Sequence, residues 1–218
     1  LNSLNCKFDH GLTPLDTDFP SALGETYEFL DEDLGVKFVA EQVCVDPPIS
    51  STHTEHKGFT FYQNITVETS FMGNSIDLDT KGRSHIYFKD SEDHFMYTNP
   101  KIRINSLLFG STWIEHYGEL NISNLGTGDK CVITFKKSGF FESGTRYDID
   151  GYITDAAGKK LIYLHGFWNK NLMAKWLVDT KTHKSGHSEE LWRAKEDCLD
   201  GGKYNFTKFG ARLCELDA

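Results

Sequence analysis

The sequence predicts a mainly β fold of many short antiparallel strands, arranged as a barrel or a sandwich. Segments rich in β-branched and aromatic residues alternate between apolar and polar positions, and turn-forming residues separate them. Closure of such a sheet into a barrel would remove its exposed edges. With 218 residues, 39% of them hydrophobic, the chain is long enough for one domain that spans residues 1–218 and buries a sizeable core.

The predicted elements follow from this alternation in chain order. We expect strands at residues 36–43, 59–69, 84–88, 94–97, 101–104, 119–122, 130–135, 146–154 and 160–167. Glycine-bearing turns at 72–74, 81–83 and 157–159 fit tight antiparallel connections, so the last two strands form a hairpin. We expect few helices, and the segment 188–195 to be a short one.

Charge and hydropathy exclude several classes of function. The net charge of −9 argues against nucleic-acid binding, which needs clustered lysine and arginine, and against strong docking to anionic membranes. The most basic stretch, residues 181–187, is followed by Glu189 and Glu190, so we interpret it as a solvated loop. No apolar run approaches the roughly 20 residues that span a bilayer, and the polar N-terminus does not resemble a signal peptide.

The most specific motif is the octapeptide 41–48, which reads E-Q-V-C-V-D-P-P. It resembles E-Q-V-S-H-H-P-P, the signature of the ligand-binding domain of the oxysterol-binding protein family. Further similar motifs follow the family's order: L-G-E-T-Y-E at 23–28, W-I-E-H-Y-G at 113–118, T-G-D-K-C at 127–131 and Y-N-F-T at 204–207. The similarity covers roughly residues 19–216, which is nearly the whole chain.

The resemblance implies a barrel around a central apolar tunnel that holds a sterol, or a phosphoinositide by its acyl chains. In the family, a histidine pair, a lysine before L-G-E-T and a later basic helix hold the phosphorylated headgroup. Here Val45 and Asp46 replace the histidines, the segment 17–21 contains no lysine, and the sequence ends before the basic helix. We therefore expect no exchange of phosphatidylinositol 4-phosphate.

The resemblance also implies a more open tunnel, because only about twenty residues precede L-G-E-T where family members carry a lid. An open apolar tunnel exposes a surface for a ligand or partner. We expect a sterol-like or carotenoid-like lipid or pigment, or a fatty acyl chain, to occupy it. The expected ligand contacts are Leu23, Tyr27, Phe38, Gln42, Val45, Phe61, Gln63 and Trp113. The alternative is a structural or interaction protein with a filled barrel, which self-associates through the tunnel mouth or binds another protein.

The cysteines and sequons indicate whether the protein is extracellular or cytosolic. Cys131 stands where the family commonly has cysteine, in a core strand, and is expected to be a buried small hydrophobe. The other four form an even set, which predicts disulfides as in an extracellular protein, with three possible connectivities. Of these we expect Cys6 with Cys44 and Cys198 with Cys214, because each bridge would fix a terminal segment that lacks the family's further support. Secretion is compatible with three sequons, which begin at Asn64, Asn121 and Asn205. Free thiols in a cytosolic protein remain the alternative.

Catalytic and metal-binding motifs are weak, so we expect neither an enzyme nor a metal or cofactor. His53, Glu55 and His56 do not form H-E-x-x-H. His183 and His187 are four residues apart, but the residues between them disfavour a helix that would bring them together. No nucleophile elbow, phosphate loop or cysteine-pair zinc motif occurs.

Overall fold

A computed structural model describes residues 22–137 and 146–194. Within these ranges thirteen strands form one antiparallel sheet, which confirms the predicted class. The strands are β1 Thr26–Asp31, β2 Val36–Val45, β3 Pro48–Glu55, β4 Phe59–Phe71, β5 Ser75–Phe88, β6 His94–Tyr97, β7 Lys101–Asn105, β8 Trp113–Asn124, β9 Lys130–Phe135, β10 Asp148–Thr154, β11 Lys160–Phe167, β12 Asn171–Trp176 and β13 Ser188–Arg193. The described residues contain none of the expected helices, and thus no helix able to cross a membrane.

The sheet follows the chain in an up-and-down order. Every strand from β2 to β13 except β7 pairs with the strand before it, and β7 pairs instead with β5 and β8. The 14-residue strand β5 is long enough to pair with β7 at its start and with β6 at its end. Among the described strands, β1 and β13 end the path without pairing to each other.

Register divides the side chains of the sheet between two faces, because successive side chains of a strand point to opposite sides. In β2, Phe38, Ala40 and Gln42 are partly buried while the residues between them are exposed. The paired positions continue this face across the sheet to β12. There it carries the buried core: Ile133, Phe135, Ile149, Leu164, Ala174 and Trp176. We call it the inner face and the opposite one the outer face.

The helix predicted at 188–195 is wrong, because residues 188–193 form strand β13. They pair with β12, where Trp192 lies opposite Leu172 and Glu189 opposite Ala174. Side-chain pairing along a sheet edge here outweighs the helix preference of a short glutamate- and leucine-containing segment. The remaining residues of the predicted helix lie outside the described ranges.

Two of the three predicted glycine turns are confirmed, since residues 72–74 connect β4 to β5 and residues 157–159 connect β10 to β11. The turn predicted at 81–83 is wrong, because Gly82 lies inside β5. Its φ is 117°, and a Cβ there would lie 1.9 Å from the carbonyl oxygen of Asn64 on β4. Glycine is required at this position by close approach of two backbones.

Candidate functional site

A row of polar side chains crosses the inner face of the N-terminal strands. Register aligns Thr52 of β3, Gln63 of β4, Ser84 of β5 and Tyr97 of β6, which we call the polar row. Ser84 Oγ donates a hydrogen bond of 3.0 Å to Gln63 Oε1. The Thr52 hydroxyl is buried and has no partner among the described residues. The row therefore keeps hydrogen-bonding capacity that the protein itself does not use.

Gln42 extends this polar region on β2. Its side-chain oxygen accepts a hydrogen bond of 2.7 Å from Ser50 Oγ, and its side-chain nitrogen donates one of 2.6 Å to the Cys44 carbonyl. These two contacts fix which way the Gln42 amide points. Since Gln42 and Ser50 face each other in the β2–β3 register, they lie on the same face as the polar row.

Large apolar side chains lie beside the polar row. Phe38 of β2, Phe61 of β4, Ile86 of β5 and Phe95 of β6 occupy the next inward-facing positions across the sheet, with Thr54 of β3 between the first two. Such aromatic rings bury large areas when another molecule covers them. The N-terminal half of the inner face thus combines a mostly apolar surface with a few hydrogen-bonding groups.

The structure brings together five of the eight predicted ligand contacts on the inner face, namely Tyr27, Phe38, Gln42, Phe61 and Gln63. Leu23 precedes β1 and Val45 ends β2, and they are 66% and 53% exposed. Trp113 lies on the outer face opposite Asn105, with the Arg146 guanidinium 3.9 Å from its ring centre. Trp113 is therefore separated from the other contacts by the sheet itself.

The polar row also contains three residues that sequence reasoning missed: Thr52, Ser84 and Tyr97. Each lies on a strand with mixed polar and apolar residues, so the face of the sheet that its side chain occupies depends on the register with the neighbouring strand. Gln63 was found from the sequence. Its register partners are Thr52 and Ser84, and Ser84 in turn pairs with Tyr97.

The outer face is polar and carries its own ion pairs. The Arg103 guanidinium hydrogen bonds to both carboxylate oxygens of Asp77, and the Tyr117 hydroxyl donates to the same group at 2.9 Å. The bond from Arg103 holds the pKa of Asp77 below its usual value. Asp79 pairs with Lys101 at 2.8 Å and with Lys81 at 2.7 Å, and these bonds lower its pKa too. The Arg103–Asp77 pair is mostly buried, whereas Lys81 and Lys101 are about half exposed.

Cys44 and Cys131 are free thiols. The predicted disulfide between Cys6 and Cys44 is thus not formed in this structure, where Cys44 Sγ instead lies 3.5 Å from the Asp46 carbonyl oxygen. Cys6 and the other predicted pair, Cys198 with Cys214, lie outside the described residues. Cys131 packs against the core as expected, and burial raises the pKa of its thiol to about 11.

Two of the three predicted glycosylation sites fall on described strands. Asn64 of β4 faces outward and accepts a hydrogen bond of 2.8 Å from Ser51 Oγ. Asn121 of β8 is exposed, and Asn205 lies outside the described residues. Glycosylation at these sites stays a prediction.

The histidines fall into different environments. His53 Nε2 lies 2.9 Å from Glu55 Oε1, while the His56 ring lies near Phe59 instead, so the three do not converge. In contrast, the expectation that His183 and His187 remain apart is wrong. No helix joins them, but the loop between β12 and β13 places their ring centres 4.6 Å apart.

These features define an all-β protein with an inner face that is largely apolar and carries one polar row. The chain belongs to the oxysterol-binding protein family, whose profile, described as Oxysterol-binding protein, matches residues 15–218. The confirmed resemblance extends over the octapeptide at 41–48, which forms the end of β2 and the turn into β3.

Alignments with curated relatives include most of this chain but less than half of each relative. It is 35% identical to oxysterol-binding protein 11 of Dictyostelium discoideum over 89% of this chain and 34% of the relative. It is also 35% identical to oxysterol-binding protein-related protein 3B of Arabidopsis thaliana, over 91% of this chain and 43% of the relative. The chain therefore spans less than half the length of these relatives.

Solved structures show the same fold. The crystal structure of the Osh1 ORD domain in complex with cholesterol superposes with a TM-score of 0.79 at 28% identity, over 91% of this chain and 50% of that one. The Osh3 ORD of Saccharomyces cerevisiae in complex with PI(4)P gives a TM-score of 0.73 at 30% identity, over 88% of this chain and 50% of that one.

Proposed function

We propose that this chain binds a sterol-like lipid non-covalently on its inner face. The observation that carries the proposal is the unpaired Thr52 hydroxyl beside Gln63 and Ser84, next to a row of apolar side chains. A lipid with one hydroxyl or keto oxygen matches this pattern. Its hydrocarbon body would cover the apolar side chains beside the polar row, while its oxygen would hydrogen bond to the polar row.

Burial supplies most of the affinity in this proposal. Apolar surface removed from water contributes about 25 cal/mol per Å². One hydrogen bond adds a net of roughly 1 kcal/mol, which orients the ligand rather than retaining it. The crystal structures of related domains with cholesterol and with PI(4)P support a lipid as the ligand class. Because the chain spans only half of those domains, lipid transfer by the whole protein belongs to the same proposal.

We further propose that the chain does not select phosphatidylinositol 4-phosphate. Val45 and Asp46 stand where the family signature has two histidines, so an apolar group and a carboxylate replace two donors. A carboxylate repels a phosphate group of the same sign. The segment 17–21 also lacks the lysine that precedes L-G-E-T in the family.

Binding of a fluorescent sterol to the full chain tests the first proposal, with a pair of neighbouring variants. Gln63→Leu removes a polar-row group on the inner face, and Asn64→Leu makes the same type of change on the outer face. We expect the first to weaken binding roughly fivefold, as the loss of one hydrogen bond does, and the second to leave binding unchanged. Equal effects of the two variants, or no sterol binding at all, would contradict the proposal.

Lipid extraction from liposomes tests the headgroup proposal. The wild-type chain should extract phosphatidylinositol 4-phosphate no better than phosphatidylcholine at equal mole fraction. Selective extraction of the phosphoinositide by the wild-type chain would refute the loss of headgroup recognition. The double variant Val45→His, Asp46→His supplies two donors again, and any phosphoinositide preference should appear there first.

Solvent extraction of the purified protein followed by mass spectrometry identifies the natural ligand, and a visible absorption band would mark a carotenoid-like pigment. The alternative, a filled interior with self-association or protein binding, is favoured by one observation. In strands β9–β12 the inner face is closed by its own side chains, which form the core. An empty extract together with a concentration-dependent dimer would support that alternative over lipid binding.

A further inference from the structure

We propose that His183, His187 and Glu189 form a binding site for one divalent transition-metal ion, with Zn²⁺ as the fitting ion. The three side chains converge where the loop after β12 enters β13. One ligand atom from each lies within 4.8 Å of the others. This inference is independent of the lipid site.

The spacing of the three groups suits coordination better than hydrogen bonding. Glu189 Oε2 lies 3.5 Å from His183 Nε2 and 3.4 Å from His187 Nε2. Both separations exceed the roughly 2.9–3.0 Å of an ordinary N–H···O hydrogen bond. Tetrahedral zinc, with bonds of about 2.0–2.1 Å, places neighbouring ligand atoms about 3.3–3.4 Å apart. The carboxylate oxygen therefore lies at nearly this edge length from each of the two nitrogens, and all three ligand atoms lie within 4.8 Å of one another.

The His183 ring is held in the orientation that a metal ligand needs. It stacks on the Trp176 indole with ring centres 4.1 Å apart, and Trp176 belongs to the buried core. The Thr182 hydroxyl lies 2.8 Å from His183 Nδ1. When Nδ1 donates its proton to this hydroxyl, Nε2 keeps a lone pair that faces Glu189. Such outer partners commonly fix the tautomer of metal-binding histidines.

Backbone hydrogen bonds hold the loop in place. The Gly186 amide donates 2.8 Å to the Trp176 carbonyl, and the Trp176 amide donates 2.9 Å to the His187 carbonyl. The His183 amide donates 2.9 Å to Thr180 Oγ1. Glu189 itself lies on β13, opposite Ala174 of the core. Little reorganisation is needed on binding, because loop and strand are already fixed to each other.

The donor set selects among metal ions. Two imidazoles and one carboxylate suit Zn²⁺ and the neighbouring transition metals, whereas Mg²⁺ and Ca²⁺ prefer oxygen ligands only. The side chains of His187 and Glu189 are 43% and 41% exposed, so the fourth coordination position faces solvent. Water or a donor from another molecule can complete the coordination.

Isothermal titration of the full, tag-free and chelator-stripped chain with Zn²⁺ tests this site. We expect one ion per chain, and a loss of affinity of at least about tenfold in His183→Asn and in Glu189→Gln. Thr182→Val should weaken binding by about 10- to 100-fold, because it removes the group that orients His183. His53→Asn is the matched control, since His53 pairs with Glu55 at 2.9 Å but belongs to no group of three such ligands in the part of the chain that the structure describes, and it should bind as wild type does.

Two further measurements distinguish loss of the metal site from misfolding of a variant. Near-ultraviolet circular dichroism verifies the fold of each variant, and Glu189→Gln keeps the side-chain shape if His183→Asn disturbs Trp176. Saturating Zn²⁺ should raise the melting temperature of the wild type but not of Glu189→Gln. Unchanged Zn²⁺ affinity in His183→Asn and Glu189→Gln, an equal loss in His53→Asn, or Mg²⁺ binding as tight as Zn²⁺ would each overturn the proposal.

Discussion

Protonation of a buried histidine is expected to set part of the acid sensitivity of this fold. His116 of β8 is 4% exposed and lies against Trp168, with ring centres 4.6 Å apart. Neither ring nitrogen has a hydrogen-bond partner among the described residues. Burial lowers the pKa of His116 from 6.5 to about 4, because the charged imidazolium would lose its hydration.

The sign and size of the effect follow from these two pKa values. Well above pH 6.5 His116 is neutral in both the folded and unfolded states, so it causes no pH dependence there. Below that pH the unfolded chain takes up a proton that the folded chain refuses, and stability falls until about pH 4. The total loss is about 3 kcal/mol, of which about 2 kcal/mol is lost between pH 7 and pH 5.

Urea unfolding at pH 7 and at pH 5 measures this loss in the wild type and in His116→Phe, which keeps an aromatic ring beside Trp168. We expect the variant to lose about 2 kcal/mol less than the wild type over this interval. His165→Phe, which makes the same substitution on the outer face of β11, is the matched control, and the comparison is between the two variants. His85, whose pKa burial and His94 also lower, should retain a residual slope in every variant. An unchanged slope in His116→Phe would refute the reasoning.

Three further perturbations test the packing. Gly82→Ala should destabilise the fold by more than about 3 kcal/mol in urea unfolding, whereas Gly158→Ala, with a similarly positive φ but open space around it, should cost about 1 kcal/mol. Arg103→Met should cost about 2 kcal/mol by removing the guanidinium partner of the mostly buried Asp77 carboxylate, which then keeps the Tyr117 hydrogen bond, and a second change, Asp77→Asn, should recover most of this loss. Cys131 should resist iodoacetamide at pH 8 in the native chain but react in urea, because burial raises its pKa to about 11, and peptide mass mapping would locate the label. Equal losses at the two glycines, no recovery in the double variant, or labelling of native Cys131 would each contradict the corresponding inference.

The sequence predicts the β class well because its signal is local. The alternation of β2 is visible residue by residue, and the octapeptide locates Gln42 at a partly buried position on that strand. The hairpin of β10 and β11 follows equally from alternation and from the glycine between its strands. These features need no knowledge of distant parts of the chain.

Features that depend on pairing were missed. Trp113 belongs to a family motif, but the face of the sheet on which its side chain lies is set by the register of β7 against β8. A shift of this register by one residue would move the side chain to the opposite face. Thr52 and Ser84 become neighbours of Gln63 only through two successive strand pairings. His183 reaches His187 through a loop that packs on Trp176, and no helical spacing rule describes such a contact.

The up-and-down strand order has a consequence for how the chain acquires its structure. Since all but one of the strands after the first pair with their immediate predecessor, most of the sheet can assemble as successive hairpins. Most of these additions close only a short loop, and the entropy of loop closure grows slowly with length. The exception is β7, which must bypass β6 to reach β5. Docking of this five-residue strand requires the long β5 to be in place first, and we expect it to be among the late steps of folding.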